Sequence, residues 1–422
     1  MKVKESNHMH SKHTVAKAHS SSRLRTWILI IGIICAAANL RSPLTGVGPI
    51  LEFIQSDTGM SNTLAGMLTT LPLLAFAFFS PLAPKIARNI GMGYTLFGAL
   101  LLLAVGIILR SVPVTGTLFI GTALIGIAIA ICNVLLPSLI KQEFPYKVGL
   151  MTGVYSASMN MWAAIASGIS IPLTQGLGFG WRISLACWIL LSLISIAVWI
   201  PQLRTHKRRS SSVHTKESLW HSKLAWNVTM FMGLQSVVFY SVVTWLPAIL
   251  HQQGVSQSAA GWLLSLAQLA SLPPTFIVPI IASRSSNQRG LVGFIVAVLL
   301  LGYIGLLSGA TAFMPLYVIL LGIGTGSGFG LATMFFTLRT RNAHEAAELS
   351  GMAQSVGYLL AAAGPILFGF VHDLTHNWTI PLLILVAAAI LLFIFGMGAA
   401  SSNYVTSTKR NSTFDFQKQK GS

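Results

Sequence analysis

Ala38-Asn39-Leu40-Arg41-Ser42-Pro43-Leu44-Thr45-Gly46-Val47-Gly48-Pro49 is the stretch on which the reading of this chain turns. It lies inside Trp27–Phe53, an apolar run whose only charge away from its ends is the guanidinium of Arg41. A helix of that length crosses a hydrocarbon slab of ~30 Å. A charge at bilayer depth costs ~2.5–3.5 kcal/mol on insertion scales, so it belongs on a cavity rather than against lipid. Pro43, Gly46, Gly48 and Pro49 follow at once and weaken helical continuity beside the charge. A broken membrane helix next to a fixed cation suits the binding of an anion or polar solute in a transporter. The competing reading is an arginine that pairs with neighbouring carbonyls only for packing.

Composition sets the class. The 422 residues are 54% hydrophobic and 9% charged, whereas soluble domains carry about 25% charged residues. The chain therefore reads as an all-α polytopic membrane protein. A formal charge of +18 invites a nucleic-acid partner. The Lys and Arg residues lie instead in short loops and tails between apolar runs, so no nucleic acid is expected. The expected partners are membrane lipid and a small-molecule or anion substrate, with the chain itself a monomer. Cys35, Cys132 and Cys187 all fall in apolar segments without ligand or disulfide spacing and read as small buried residues. No cofactor and no metal site is expected. The tail bearing His8, His10 and His13 reads as disordered, and His372 with His376 alone is too weak a metal signature. The basic start and small residues before Asn39 resemble a signal peptide. Because the apolar stretch resumes past Arg41 to span length, cleavage is not expected.

Twelve apolar runs follow one another at 27–53, 63–83, 92–110, 115–139, 150–173 and 181–200, then at 225–250, 260–282, 290–309, 313–337, 349–371 and 378–400. Backbone groups in lipid must be satisfied within the segment, so each run is a helix. The expected organisation is an N-terminal tail 1–26, a six-helix half 27–200, a central loop 201–224, a second half 225–400 and a C-terminal tail 401–422. One side receives Lys85, Arg88, Lys141, Lys147, the Arg204–Lys223 cluster, Arg284, Arg289, Arg339 and Arg341. The other retains only Arg110 and Arg182. The positive-inside rule then places both termini in the cytoplasm. The basic central interval acts as a topology anchor and linker, with anionic-lipid binding as its alternative.

The halves repeat each other. Gly59-Met60-Ser61 with Ala65-Gly66 recurs as Gly254-Val255-Ser256 with Ala260-Gly261, and Pro84 matches Pro279, at an offset of 195. Gly126 matches Gly324, Gly153 matches Gly351 and Ala163-Ala164 matches Ala361-Ala362 at 198. Two related six-helix halves place substrate near the bilayer midplane, in the crevice between them.

Twelve spans in two pseudo-symmetric six-helix halves, a basic central loop and a short loop after the second span resemble the major facilitator superfamily. Its second-span loop carries a Gly-x-Leu-Ala-Asp-Arg-x-Gly-Arg motif. The matching stretches are Pro84-Lys85-Ile86-Ala87-Arg88-Asn89-Ile90-Gly91 and Pro279-Ile280-Ile281-Ala282-Ser283-Arg284, in which Arg88 and Ser283 replace the acid. The usual carboxylate-centred gating network therefore cannot operate unchanged. The first-span stretch around Arg41 is similar to the signature of the cyanate porter (CynX/NimT-like) permease group. That resemblance implies a bacterial inner-membrane permease for a small anion or small polar heterocycle, such as cyanate or a nitroimidazole.

Arg41 and Thr45 share a helix face with Glu52, and Ser42 is placed to cap a half-helix restarting at Pro43. Asn39, Tyr155, Asn160, Gln235, Gln354 and Tyr358 join Arg41 and Thr45 as candidate substrate contacts, because neutral amides and hydroxyls donate and accept without a fixed charge. Interhelical hydrogen bonding is the competing use of each. Asn133, Tyr240 and Gln268 are further polar groups within spans, and Trp162 and Trp245 are candidate stacking surfaces. Lys85, Arg88, Arg284, Glu345 and Glu348 are candidate gating residues, with Arg88 or Lys85 meeting Glu345 or Glu348 across the halves. No carboxylate sits at midspan, which disfavours acid-driven antiport of cationic drugs. A multidrug exporter of the same fold remains the alternative. An enzyme is not expected: no nucleophile–base pair or phosphate loop appears, and Gly322–Gly330 is better suited to close helix packing.

Overall fold

The computed structural model describes residues 24–60, 62–203 and 219–406. The histidine-bearing tail, most of the central basic cluster and the end of the C-terminal tail lie outside the described residues. Twelve span helices follow in order: α1 (Leu24–Ile50), α2 (Asn62–Phe79), α3 (Met92–Ser111), α4 (Thr115–Glu143), α5 (Val148–Ile171) and α6 (Gly180–Leu203). The second half holds α7 (Lys223–Gln252), α8 (Gln257–Arg284), α9 (Arg289–Ser308), α10 (Met314–Leu338), α11 (Ala343–Thr375) and α12 (Thr379–Ala399). Ten of these are long and apolar enough to cross a membrane, and α2 makes an eleventh together with the helix Leu82–Ile90, bent from it by 58°. The remaining helix, α5, is 24 residues long and falls outside that set, being more polar through Tyr155, Asn160 and several serines.

The apolar runs thus mark the helices, and the ends shift where a cap or a polar extension outruns hydrophobicity. The side chain of Ser222 accepts from the Ala225 N–H at the start of α7, and that of Ser256 from Ala259 at the start of α8. Asn342 accepts from the Glu345 N–H at 2.9 Å and starts α11 six residues before its apolar run. Glu345 and Glu348, expected ahead of this span, therefore lie in its first two turns. Arg110, counted from sequence among the surface charges, is fully buried at the end of α3.

Glycines gauge how the halves meet. At the end bearing the basic loops, a Cβ on Gly149 of α5 would fall 2.6 Å from the Pro279 carbonyl of α8, and one on Gly153 2.6 Å from the Phe276 carbonyl. The pseudo-symmetric contact joins Gly351 of α11 to Ser80 and Pro84, where a Cβ would lie 3.0 Å from the Ser80 carbonyl. Small residues let these backbones touch. At the opposite end, Gly66 of α2, Gly168 of α5 and Gly261 of α8 have nothing within 4 Å of such a Cβ. The halves touch backbone to backbone at the basic end, and these three glycines at the other end face open space.

Candidate substrate site

The first helix breaks where its prolines and glycines predict. Leu40 and Arg41 leave the helix, Ser42–Thr45 forms one turn, Gly46 and Val47 turn again, and Gly48–Ile50 is a 3-10 turn. Each freed backbone group must find a partner in a water-poor interior. The Thr45 hydroxyl donates to Ala163 O of α5 at 3.2 Å, and Ser167 donates back to Thr45 O at 3.3 Å. Arg110 donates to Pro43 O at 2.6 Å, so this buried arginine caps the single turn that follows Arg41. Ser42 does not act as the expected cap: its hydroxyl donates backwards to Ala38 O at 2.9 Å. The Leu44 and Thr45 N–H groups are spent on Arg41 O, so this turn offers no free N–H pair to an anion.

Breaking the helix turns Arg41 toward the crevice between the halves. Its guanidinium carbon lies 5.6 Å from the ring centroids of both Phe239 in α7 and Phe329 in α10. Such contacts are worth ~0.5–2 kcal/mol, more when desolvated. Tyr240, Tyr358 and Tyr155 are the ionisable groups in its electrostatic neighbourhood. Among the described residues no carboxylate lies within ion-pair distance of Arg41; the side chain of Glu52 is outside the description. Arg41, Asn160, Gln235, Ser236, Phe239, Tyr240, Ser271, Thr325, Gly326, Phe329 and Tyr358 line one narrow cavity. Its free space is about 10 Å³, roughly one water's worth. In this conformation the two phenylalanines fill the room beside the cation. The lining offers one positive charge, two amides and several hydroxyls, which is a set suited to a small anion or a polar ring.

Four expected contacts come together here: Arg41, Asn160, Gln235 and Tyr358. Asn160 donates to Thr275 across the halves at 3.2 Å, Gln235 donates to Ser236 at 2.9 Å, and Tyr358 packs on Phe76 with centroids 4.8 Å apart. Tyr155 stands just behind and donates to Asn133. The other three point elsewhere. Asn39 donates to Ser195 of α6 at 2.7 Å and to Cys35 O, Thr45 braces α5, and Gln354 donates to Ser350 one turn away. Trp162 and Trp245 pack on Trp188 and Trp378 rather than on the cavity. Phe239 and Phe329 were missed, since an apolar residue in an apolar span carries no mark of facing a cavity. The repeat held a signal. Its offset of 195 to 198 carries position 41 onto Ser236 and Phe239, and Asn160 onto Tyr358.

At the basic end, Lys85 and Arg88 are exposed on the bent helix after α2. Glu345 spends its oxygens on the Arg341 N–H and the Asn342 amide. Glu348 takes His344 at 3.2 Å, with Arg88 close enough to act on it electrostatically but outside ion-pair distance. The expected direct ion pair across the halves is therefore not formed in this conformation. A different cation crosses the gap. Lys141, at the end of α4, donates to the carbonyls of Thr337 and Thr340 and, at 3.0 Å, to the Thr340 hydroxyl, neutralising the carbonyl end of α10. Its repeat counterpart Arg339 caps α12 within its own half through Ala399 O at 2.7 Å.

The sequence profile of the Major Facilitator Superfamily matches residues 29–365. The chain belongs to that superfamily. It is 44% identical over 380 residues to the 2-nitroimidazole transporter of Escherichia coli (strain K12), covering 88% of this chain and 95% of that one. With the cyanate transport protein CynX of the same organism it shares 25% over 352 residues, 83% and 91% of the two chains. Both relatives fit a CynX/NimT-like group. The solved proton:xylose symporter XylE superposes with a TM-score of 0.72 at 11% identity, over 90% of this chain and 98% of that one, which speaks for the fold. This major facilitator chain is thus a multi-pass membrane transporter and not an enzyme.

Proposed function

We propose that this transporter moves a small anion or small polar heterocycle, of the cyanate or nitroimidazole kind, across the bacterial inner membrane by alternating access. The observation that carries the reading is Arg41: a lone guanidinium at the break of α1, turned to a cavity between the halves and met there, among the described residues, by rings and hydroxyls instead of a carboxylate. A cation left without a counter-charge is poised to take one from the substrate. The named substrates of the two relatives are small and planar, which suits a slot walled by Phe239 and Phe329. Asn160, Gln235 and Tyr358 would orient the solute, with Tyr155 behind them. Asn39, Thr45 and Gln354 act one step back, by holding the helices that carry the lining. Multidrug export would call for a wide apolar cavity and a buried acid, and the lining around Arg41 is narrow and free of carboxylates.

In this reading the basic end is cytoplasmic, and the chain divides into halves at 27–200 and 225–400 about a linker. The conformation is then open outward and shut inward. Lys141 latches the shut end, while Arg88, with Lys85 beside it, attracts Glu348 across the halves without a direct pair. Arg284 belongs to the same gate. The test is uptake and counterflow in proteoliposomes against a panel of small anions and neutral heterocycles. Saturable counterflow of one such solute is expected; a panel without any transported member, alongside transport of large cationic dyes, contradicts the proposal. For the gate, Arg88→Glu should impair transport and Glu348→Arg should restore it in the double variant. Absence of rescue removes that pair from the gate.

A further inference from the structure

A second cavity, of about 760 Å³, opens at the basic end between the two halves. Lys141 and Lys147 line it from one half, and Arg284 and Arg341 from the other. Among the described residues its lining has no carboxylate. Glu345 acts on Lys141 from nearby, but both of its oxygens are already held by the Arg341 N–H and the Asn342 amide. Lys141 is already held by the Thr337 and Thr340 carbonyls, so Lys147, Arg284 and Arg341 are the charges that raise the local concentration of anions here. The start of α5 opens on the same space through Val148, Gly149 and Leu150. Its N-cap residue is Lys147, which supplies no side-chain acceptor, so the first-turn N–H groups of a 24-residue helix face this basic pocket uncapped. Tyr146 and Tyr404 flank the opening, and the volume falls within the ~300–1,000 Å³ of small-molecule sites.

We infer that this cavity is a binding site for a multiply charged phosphate anion, separate from the Arg41 site. The phosphate sits against the start of α5 and is gripped by Lys147 from one half and Arg341 from the other. Because both halves contribute, the anion binds the shut basic end more tightly than the parted one and biases the transporter toward the shut state. A lipid phosphate headgroup and a free phosphate compound share this chemistry.

The experiment uses the full chain in nanodiscs with inorganic pyrophosphate as the probe. In phosphatidylcholine discs, calorimetry should show one saturable site at low salt. Lys147→Gln with Arg341→Gln should weaken it at least about tenfold, since charge-assisted hydrogen bonds are the strong ones. Lys147→Arg should keep it, and an unchanged Tm shows that the variants fold. Absence of saturable heat, or equal affinity in the double variant, overturns the site. Phosphatidylglycerol in the discs separates the sources: weaker apparent pyrophosphate binding assigns the site to a lipid headgroup, and unchanged binding assigns it to a soluble phosphate. Pyrophosphate on the basic side should also slow counterflow by the wild type and spare the double variant. Equal wild-type rates with and without it overturn the bias toward the shut state.

Discussion

Arg41 stands out in the sequence because a charge inside an apolar run is an outlier that needs no structure to notice. What holds it in place does not stand out. Arg110 reads as one of two charges on a sparsely charged face, yet it is fully buried and spends one N–H on Pro43 O at 2.6 Å. Its Nε and second terminal nitrogen have no protein partner among the described residues. Hydrogen bonds from charged groups contribute about 1.5–3 kcal/mol, so Arg110→Gln should free the turn after Arg41 and let the guanidinium drift. The expected result is a lower Tm and a raised KM for substrate, with Arg110→Lys recovering part of each; an unchanged KM would show that Arg110 only fills space. A surface contact behaves more simply. Asp57 accepts from Trp181 at 3.1 Å and Arg182 at 2.7 Å, and these bonds hold its carboxyl below the ordinary 3.8. With a lowered folded value, the contact's contribution is full above pH 3.8 and is lost only as pH falls through that lower value. Tryptophan fluorescence compared with Asp57→Asn should therefore agree in pH dependence from 5 to 8 and diverge below 3.8.

Helices were readable as helices because lipid leaves the backbone no other solution, and hydrophobic length located ten of them outright and an eleventh as a bent pair. Their ends were less so, since Asn342 extends α11 beyond its apolar run by a local cap. The partner of each helix was hidden as well. Nothing in the run from Thr337 to Thr340 marks it as the target of Lys141, because the acceptors are backbone carbonyls that every residue carries. The glycine matches at offset 198 were legible as a repeat, and the structure gives them their physical meaning. Gly153 and Gly351 are the points where α5 meets α8 and α11 meets the end of α2. A side chain at Gly153 would strike the Phe276 backbone carbonyl, which cannot swing aside. Gly153→Val should therefore pry the basic end apart and shift the population toward the opposite open state. Spin labels at Gly66→Cys and Gly261→Cys, where no neighbour lies within 4 Å, should then report a shorter distance than in the unpried protein. An unchanged distance would show that the glycine contacts do not set the resting conformation.

In the proposed mechanism the halves rock about the crevice, the many positive charges at one end set the orientation, and the single one at the break of α1 meets the substrate. Reporter fusions after either terminus should be active only with cytoplasmic reporters, and activity of a periplasmic reporter at either end would invert the assignment of the open side. The proposed substrate class rests, on the sequence side, only on the first-span motif and the missing midspan acid, since the cavity is walled by rings from α7 and α10 that sequence cannot place together. The most direct test of the substrate role of Arg41 is counterflow of the transported solute in proteoliposomes, comparing wild type with Arg41→Gln and Arg41→Lys at matched reconstitution. Arg41→Gln should abolish counterflow of an anionic substrate while the protein keeps its Tm, with Arg41→Lys retaining a weakened activity. Normal transport by Arg41→Gln would contradict the account and leave the arginine a packing device of the broken helix.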